Sequence, residues 1–224
     1  DVILVRFDPP AVRLAEILYR CILERGMHPV IRMNPTPAME QSFFQCATDP
    51  QLLFTPPGEE PLYRQLNGSI FLHAPGSLTH LSGVDPKKIG KAAAAKKFLR
   101  DIMTERESSG RSSWTLCLFP TEELARQAGL SLQEYTRQVV RACFLNRVDP
   151  VEHWQQLYLR ARSMKQRLSR MKTTGYRIES ENIDLYISAG EKRRWVGISG
   201  RNIPSFELFT SPDWRQTRGV FYAA

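Results

Sequence analysis

Apolar residues in the first part of the chain alternate between the spacing of a strand and that of a helix. A β-rich run extends from Val2 to Phe7, and Asp8-Pro9-Pro10 ends it. Apolar residues then recur every three or four positions, which predicts a helix of about four turns that Gly26 ends: Val12, Leu14, Ala15, Ile17, Leu18, Cys21 and Ile22. The next β-rich run, Pro29–Met33, completes a right-handed βαβ unit with parallel strands.

The same alternation continues along the chain. We expect helices within 35–47 and 59–66 and a third strand at Ser69–His73. Asp85-Pro86 supplies an N-cap and a first-turn proline, which predicts one long helix that runs to the Ser108-Ser109-Gly110 break.

Trp114–Phe119 is a nearly continuous apolar run, typical of a strand buried on both faces of a parallel sheet. Thr121, Ser131 and Asp149 are placed to cap three further helices. The predicted fold class is therefore α/β, with a parallel sheet and flanking helices.

The pattern changes at Thr173-Thr174-Gly175, after which short strands follow one another without helices between them. The runs are Tyr176–Ile178, Ile183–Ile187, Trp195–Ile198, the segment around Glu207, and Val220–Tyr222. This pattern predicts a mostly antiparallel meander. We expect two domains, an α/β amino-terminal domain at 1–173 and the start of a β-rich domain at 174–224, and we expect the second domain to be incomplete.

The composition is that of an ordinary globular protein, with 42% hydrophobic and 24% charged residues. No apolar run approaches the roughly 20 residues that span a bilayer, so we expect no membrane partner. We also expect no secretory signal. Four widely spaced cysteines without a Cys-x-x-Cys motif favour reduced, buried thiols in a cytoplasmic protein: Cys21, Cys46, Cys117 and Cys143.

The net charge of +8 has a local excess between Arg160 and Lys172, where six cations occur without an acid. A basic stripe can serve nucleic acid. However, apolar residues recur there at spacings of four and three, which indicates one buried helix face with solvated cations on the other: Leu157, Ala161, Met164, Leu168 and Met171. No stacking aromatics or nucleic-acid motif accompany it, so we expect no nucleic-acid partner.

The segment 202–212 places one carboxylate, Glu207, in a short apolar run between two prolines. Burial of this run would bury the carboxylate, which is costly unless it is paired, hydrogen-bonded or bound to a metal. The alternative is an alternating strand whose glutamate points to solvent. The four histidines show no metal-ligand spacing, so the chain contains no self-contained zinc motif.

The segment Asn202-Ile203-Pro204-Ser205-Phe206-Glu207-Leu208-Phe209-Thr210-Ser211-Pro212 resembles a family signature. It is similar to Asn-x-Pro-x-x-Glu-(Val/Leu)-Phe-Thr-x-Pro of the M29 (thermophilic, aminopeptidase T-like) metallo-aminopeptidases. Weaker landmarks agree over nearly the whole chain: Gly83-Val84-Asp85-Pro86, Trp114-Thr115 with Phe119-Pro120-Thr121, Asp149-Pro150-Val151 with Trp154, Asn182-Ile183-Asp184-Leu185, and Trp195 with Gly197.

The resemblance implies the amino-terminal part of a cytoplasmic, homodimeric aminopeptidase that removes amino-terminal residues from peptides. In the family this glutamate bridges two divalent ions of the zinc or cobalt class, so Glu207 is the metal ligand carried over. The family's later ligands are two histidines, a further glutamate, a tyrosine and an aspartate, and none of those motifs occurs here. One carboxylate cannot supply the four to six ligands of a divalent ion. We therefore expect this chain alone to bind catalytic metal weakly or not at all and to be inactive.

Two alternatives belong to other classes of protein. The first is a non-catalytic α/β binding or regulatory module derived from the same scaffold, which fold alone does not separate from the enzyme. The second is a nucleotide-binding domain, and it fails because no Gly-x-Gly-x-x-Gly or Gly-x-x-x-x-Gly-Lys follows any predicted strand.

Overall fold

The computed structural model describes residues 1–171, 173–190, 192–197 and 202–223. The chain divides into two compact units, Asp1–Thr136 and Arg137–Ala224. The second unit includes the basic helix as well as the antiparallel strands, so the sequence-based boundary between 173 and 174 falls within it. That boundary stays a prediction about the folding domains.

A four-stranded parallel sheet forms the centre of the first unit, in the order β2-β1-β3-β4. Val5 of the central strand β1 lies opposite Ile31 of β2 on one side and Ile70 of β3 on the other. The predicted βαβ start and the α/β class are therefore confirmed. The strands are β1 (Val2–Phe7), β2 (His28–Met33), β3 (Gly68–His73) and β4 (Ser113–Leu118).

Helices connect these strands, as parallel pairing requires. A short 3-10 turn, Pro9–Ala11, leads into the first of them. The helices are α1 (Val12–Glu24), α2 (Pro37–Cys46), α3 (Asp49–Leu53), α4 (Glu59–Gln65), α5 (Pro86–Ala95), α6 (Lys97–Ser108) and α7 (Glu122–Gln127). The next helix, α8 (Leu132–Ala142), crosses the division between the two units.

The hydrophobic core of the first unit lies where α1 covers the sheet. Its buried members come from β1, from β3 and the residue after it, and from the segment leading into and through α1: Val5, Phe7, Ala11, Ala15, Ile22, Leu72 and Ala74. A second cluster joins α2, α3 and α5 through Phe44, Leu52, Val84 and Ala92.

The carboxyl ends of three strands are tied together by one side chain, Asp8. Its Oδ1 accepts a hydrogen bond from the Asn34 side-chain amide at 2.7 Å, and its Oδ2 accepts one from the Ala74 backbone N–H at 2.7 Å. The Nδ1 atom of His73 lies 3.2 Å from the same Oδ2. Asp8 follows β1, Asn34 follows β2 and His73 ends β3. The carboxylate of Asp8 therefore connects neighbouring strands at their carboxyl-terminal ends.

The prediction of one long helix after Asp85 is wrong, because the helix breaks at Lys96 into α5 and α6. Packing gives the physical reason. The α5 helix contacts α3 and buries Ala92, whereas α6 contacts α4 and buries Leu99 and Ile102. The break lets each half present its apolar side to a different neighbour.

The prediction that the fourth strand is buried on both faces is also wrong. Every residue of β4 is exposed, because β4 lies at an edge of the sheet and pairs with β3 alone among the described strands. Trp114 keeps 62% of its surface and Leu116 keeps 51%.

The second unit contains a long helix and two small antiparallel sheets. The helix is α9 (Pro150–Arg170), which buries Trp154 and Ala161. The predicted amphipathic helix is thus present, although Lys172 lies outside the described residues. A three-stranded sheet has the order β5-β6-β9, and β7 and β8 pair with each other. The strands are β5 (Gly175–Ser180), β6 (Ile183–Ser188), β7 (Val196–Gly197), β8 (Leu208–Phe209) and β9 (Arg218–Phe221).

The predicted meander needs one correction. The strand β9 returns to pair with β6, and the β7–β8 pair is an excursion between them rather than a continuation of the same sheet. Ile198, the last residue of the predicted third run, lies outside the described residues. The antiparallel character predicted for this part of the chain is confirmed.

All four cysteines are free thiols, as expected. Their expected burial is not observed, because Cys46 and Cys117 are exposed and the other two are partly buried. Partial burial of the Cys117 thiol nevertheless raises its pKa. None of the helices in the described part of the chain is long and apolar enough to span a bilayer.

Candidate metal-binding segment and the neighbouring basic cavity

The candidate ligand Glu207 lies immediately before β8, on a two-stranded ladder in the second unit. In this ladder Val196 pairs with Phe209, and Gly197 pairs with Leu208. The side chain of Glu207 is exposed to solvent. The ladder therefore presents this carboxylate at the surface of the second unit.

Gly197 fixes the position of the Glu207 backbone. Its φ angle is +141°, and a Cβ atom built on it would lie 2.1 Å from the carbonyl oxygen of Glu207. Only a residue without a side chain permits this approach. The backbone of Glu207 is thus held against β7 although its side chain reaches solvent.

The run around Glu207 is not buried, and of the two alternatives the one in which the glutamate faces solvent is observed. Phe206 keeps 40% of its surface exposed and Phe209 keeps 50%. Strands of two residues are too short to cover both sides of such a run, so water solvates the carboxylate. The desolvation argument for a bound metal therefore does not apply to Glu207 in this structure.

Further metal ligands are not assembled around Glu207 within the described ranges. Residues 1–171, 173–190, 192–197 and 202–223 contain no group of three or more His, Cys, Asp or Glu side chains that could hold an ion. Two of the histidines have carboxylate neighbours in the first unit, where His73 lies beside Asp8 and His80 Nε2 lies 2.8 Å from Glu40. A third, His153, packs against Phe144 at 4.1 Å between ring centroids.

The sequence analysis missed a basic cavity of about 1210 Å³ in the second unit. It lies among the end of α9, the segment after β6 and the loop before β9. Its cationic members are Lys165, Lys192, Arg193, Arg194 and Arg215, and Asp213 is the one carboxylate among the described residues that line it. The run Lys192-Arg193-Arg194 is the signal in the sequence that points to this cavity.

The two units differ sharply in charge. Residues 1–136 contain 15 Lys and Arg against 15 Asp and Glu, whereas residues 137–224 contain 16 against 8. The second unit therefore carries the entire net charge of +8. Such an excess raises the local concentration of anionic ligands near the surface that bears it.

A cavity of about 840 Å³ in the first unit offers a useful contrast. It is also lined by arginines, but Arg32 forms an ion pair with Glu59, and the Arg6 guanidinium lies 4.7 Å from the centroid of the Phe71 ring. Lys96 and Arg100 line this cavity as well, and Glu59 and Glu107 supply two carboxylates, so the charges of its described lining are more evenly balanced than those of the basic cavity.

Comparisons with known proteins agree with the resemblance found in the sequence. The family model described as thermophilic metalloprotease (M29) matches residues 1–224. Among solved structures, the chain is similar to wild-type AmpT from Thermus thermophilus, with a TM-score of 0.66 and 21% sequence identity.

The similarity to AmpT covers 98% of this chain and 58% of that protein, so the chain spans less than two thirds of AmpT's length. At this identity, the likeness supports the fold. None of the curated proteins compared matches the chain. Because the family model covers every residue from 1 to 224, the chain belongs to the M29 family of thermophilic metalloproteases.

Proposed function

We propose that this chain forms the amino-terminal part of a two-metal aminopeptidase that removes amino-terminal residues from peptides. Glu207 is the metal ligand that this chain contributes. The observation that carries the proposal is the match of the M29 model over residues 1–224, which includes the signature around Glu207. The close approach of Gly197 to the Glu207 carbonyl further supports it, because a metal ligand must be held in place, here by a backbone contact.

The described residues do not by themselves fit a divalent ion. A carboxylate has two oxygens and can span two ions, but zinc needs about four ligands and larger ions need six or more. The described part of the chain gathers no such set. We therefore propose that the other ligands come from outside this chain, that the metals belong to the zinc or cobalt class, and that this chain alone is inactive.

Activity of the polypeptide encoded by the complete gene tests the assignment of Glu207. We expect Glu207→Gln to lower kcat/KM for hydrolysis of leucyl-p-nitroanilide by about 100-fold or more, because the amide cannot replace a charged ligand. Glu181→Gln is the matched control, since Glu181 is an exposed carboxylate in the turn between β5 and β6 of the same unit. Equal activity of Glu207→Gln and Glu181→Gln would contradict the role of Glu207 as a metal ligand. Absence of hydrolysis by the unaltered polypeptide would favour the non-catalytic binding or regulatory module.

Metal binding by the 224-residue chain tests the second part of the proposal. We expect isothermal titration with zinc or cobalt to detect no tight site, because Glu207 lacks described co-ligands. Tight stoichiometric binding that Glu207→Gln abolishes would contradict the proposed incompleteness of the ligand set.

The cytoplasmic location and the homodimer are further parts of the proposal. The free thiols support a reducing compartment, and fractionation of the native host cells checks it. The dimer follows from the family resemblance, and sedimentation velocity of the polypeptide from the complete gene checks it. A monomer at all concentrations would contradict that part.

A further inference from the structure

Among the described residues that line the basic cavity of the second unit, cations outnumber carboxylates by five to one. In the described part of this unit, the ion pairs are those that Arg177 forms with Glu179 and Asp184, and Arg177 does not line the cavity. The cavity's own carboxylate, Asp213, accepts a hydrogen bond from the Arg215 backbone N–H at 3.2 Å. Among the described residues, the five cations of the cavity therefore face one carboxylate that already accepts a backbone hydrogen bond. The Arg215 guanidinium also lies 4.9 Å from the centroid of the Trp214 ring, a contact that orients it without neutralising its charge.

The chemistry of the lining suits a carboxylate. Arginine presents a planar fork of donors that matches a carboxylate in a bidentate way, and Arg193 and Arg194 are adjacent and exposed. Hydroxyl groups of Thr173, Thr174 and Thr210 add neutral donors. The volume of about 1210 Å³ exceeds the roughly 300–1,000 Å³ of typical small-molecule sites, which leaves room for a short peptide.

Aromatic groups at the cavity do not form a platform for nucleobases. Trp195 is half-buried, and its ring meets that of Tyr176 edge-on at 6.3 Å with an interplanar angle of 84°. Two rings set edge-on do not present parallel faces to successive bases, as stacking of single-stranded nucleic acid requires. The described aromatic lining therefore gives no support to a nucleic-acid site.

The β7–β8 ladder connects the cavity to the candidate metal ligand. Thr210 lines the cavity and follows β8, whereas Glu207 precedes β8, so about 10 Å of strand separates the two residues. An extended peptide advances about 3.5 Å per residue. A peptide whose amino terminus lies near Glu207 would reach the cavity with its third or fourth residue.

We propose that the basic cavity binds a carboxylate of a short peptide substrate, three to four residues from its amino terminus. The inference rests on the proposed function, since it takes the substrate to be a peptide. The carboxylate is either the free carboxyl terminus of a tripeptide or tetrapeptide, or an acidic side chain of a longer one. Both sources present the same group to Arg193, Arg194 and Arg215.

Calorimetric titration of the 224-residue chain with synthetic peptides separates the two sources. The first pair is tetra-alanine as free acid and as carboxyl-terminal amide. The second pair is amidated Ala-Ala-Glu-Ala and Ala-Ala-Gln-Ala. We expect the carboxylate-bearing member of at least one pair to bind about tenfold more tightly or better, as charge-assisted hydrogen bonds imply. Equal affinities within both pairs would overturn the proposal.

A pair of double variants separates local recognition from the overall field. Arg193→Gln with Arg194→Gln removes two charges from the cavity, and Arg160→Gln with Arg162→Gln removes two from exposed positions of α9 that do not line it. We expect the first to abolish the preference for the carboxylate and the second to change it less than about twofold, as screening of distant charges implies. Equal losses in both would overturn the proposal.

Two further measurements complete the test. The single variant Arg215→Gln should also weaken binding of the carboxylate-bearing peptide. It tests the proposal even if the double variant does not fold. Inorganic phosphate that displaces the peptide at equal concentration would overturn the proposal in favour of a general anion site. Binding needs neither metal nor turnover, so a failure here is distinct from a failure of Glu207→Gln to lower peptidase activity.

Discussion

The carboxylate of Asp8 offers the sharpest test of how the first unit is held together. Its side chain retains 15% exposure and accepts hydrogen bonds from the Asn34 amide and the Ala74 backbone N–H, both at 2.7 Å. Asp8→Ala leaves both donors without this acceptor at the carboxyl-terminal ends of three strands. The stability of the parallel sheet should therefore depend on this side chain.

The magnitude follows from those contacts. A hydrogen bond to a charged group contributes about 1.5–3 kcal/mol when it is shielded from water, and less where water can replace it. With two such bonds and slight exposure, Asp8→Ala should lower the free energy of unfolding of the first unit by about 2–4 kcal/mol. Asp8→Asn should cost about half as much, because its amide oxygen still accepts one bond whereas its NH₂ faces another donor.

Urea denaturation followed by circular dichroism measures the stability, and amide hydrogen exchange at Ala74 reports the local contact. We expect faster exchange at Ala74 in both variants. Asp101→Asn is the control, since it removes an exposed carboxylate that pairs with Lys97 on one helix face and should cost at most about 0.5 kcal/mol. If Asp8→Ala costs no more than Asp101→Asn, or if exchange at Ala74 is unchanged, the assigned role of Asp8 is refuted.

Two other predictions concern a titrating group and a backbone contact. Hydrogen bonds from the Arg126 guanidinium and, to a smaller extent, from the Gln127 side chain lower the pKa of Glu123. The ionised carboxylate therefore stabilises the fold at pH values above its ordinary pKa, and this stabilisation is lost as the pH falls through the lowered pKa. Arg126→Ala should raise the pKa of Glu123 in an NMR titration, and an unchanged pKa would contradict the assigned cause. Gly197→Ala should destabilise the second unit by about 1–3 kcal/mol through strain and the clash with the Glu207 carbonyl, as measured by thermal unfolding. Gly83→Ala is its control because a Cβ there meets open space, and equal effects of the two substitutions would argue against the close approach.

Local signals in the sequence predict the helix starts well. Thr121 accepts a hydrogen bond from the Leu124 N–H, Ser131 forms a reciprocal capping box with Glu134, and Asp149 accepts from the Glu152 N–H. Each cap involves residues within three positions of one another. Such contacts are determined by neighbours in the chain, so a motif is sufficient to predict them.

Features that depend on distant residues were not predictable in the same way. The break at Lys96 contains no proline and follows from the separate partners of α5 and α6. The basic cavity combines Lys165 of α9 with Arg193 and Arg215 from two later loops. Glu207 could be selected by its motif, but the sequence left both a buried and a solvent-facing side chain open, because the choice depends on the length of the β7–β8 ladder.

The unpaired side of β4, the outermost strand of the parallel sheet, has a practical consequence for handling this polypeptide. In natural proteins such strands usually contain lysine, proline or a bulge, which discourage pairing with a strand of another molecule. The six residues of β4 include no charged residue and no proline, and Trp114, Leu116 and Leu118 all remain accessible. Solubility and colloidal behaviour should therefore depend on whether another surface shields β4, because an unguarded hydrophobic border is a template for self-association.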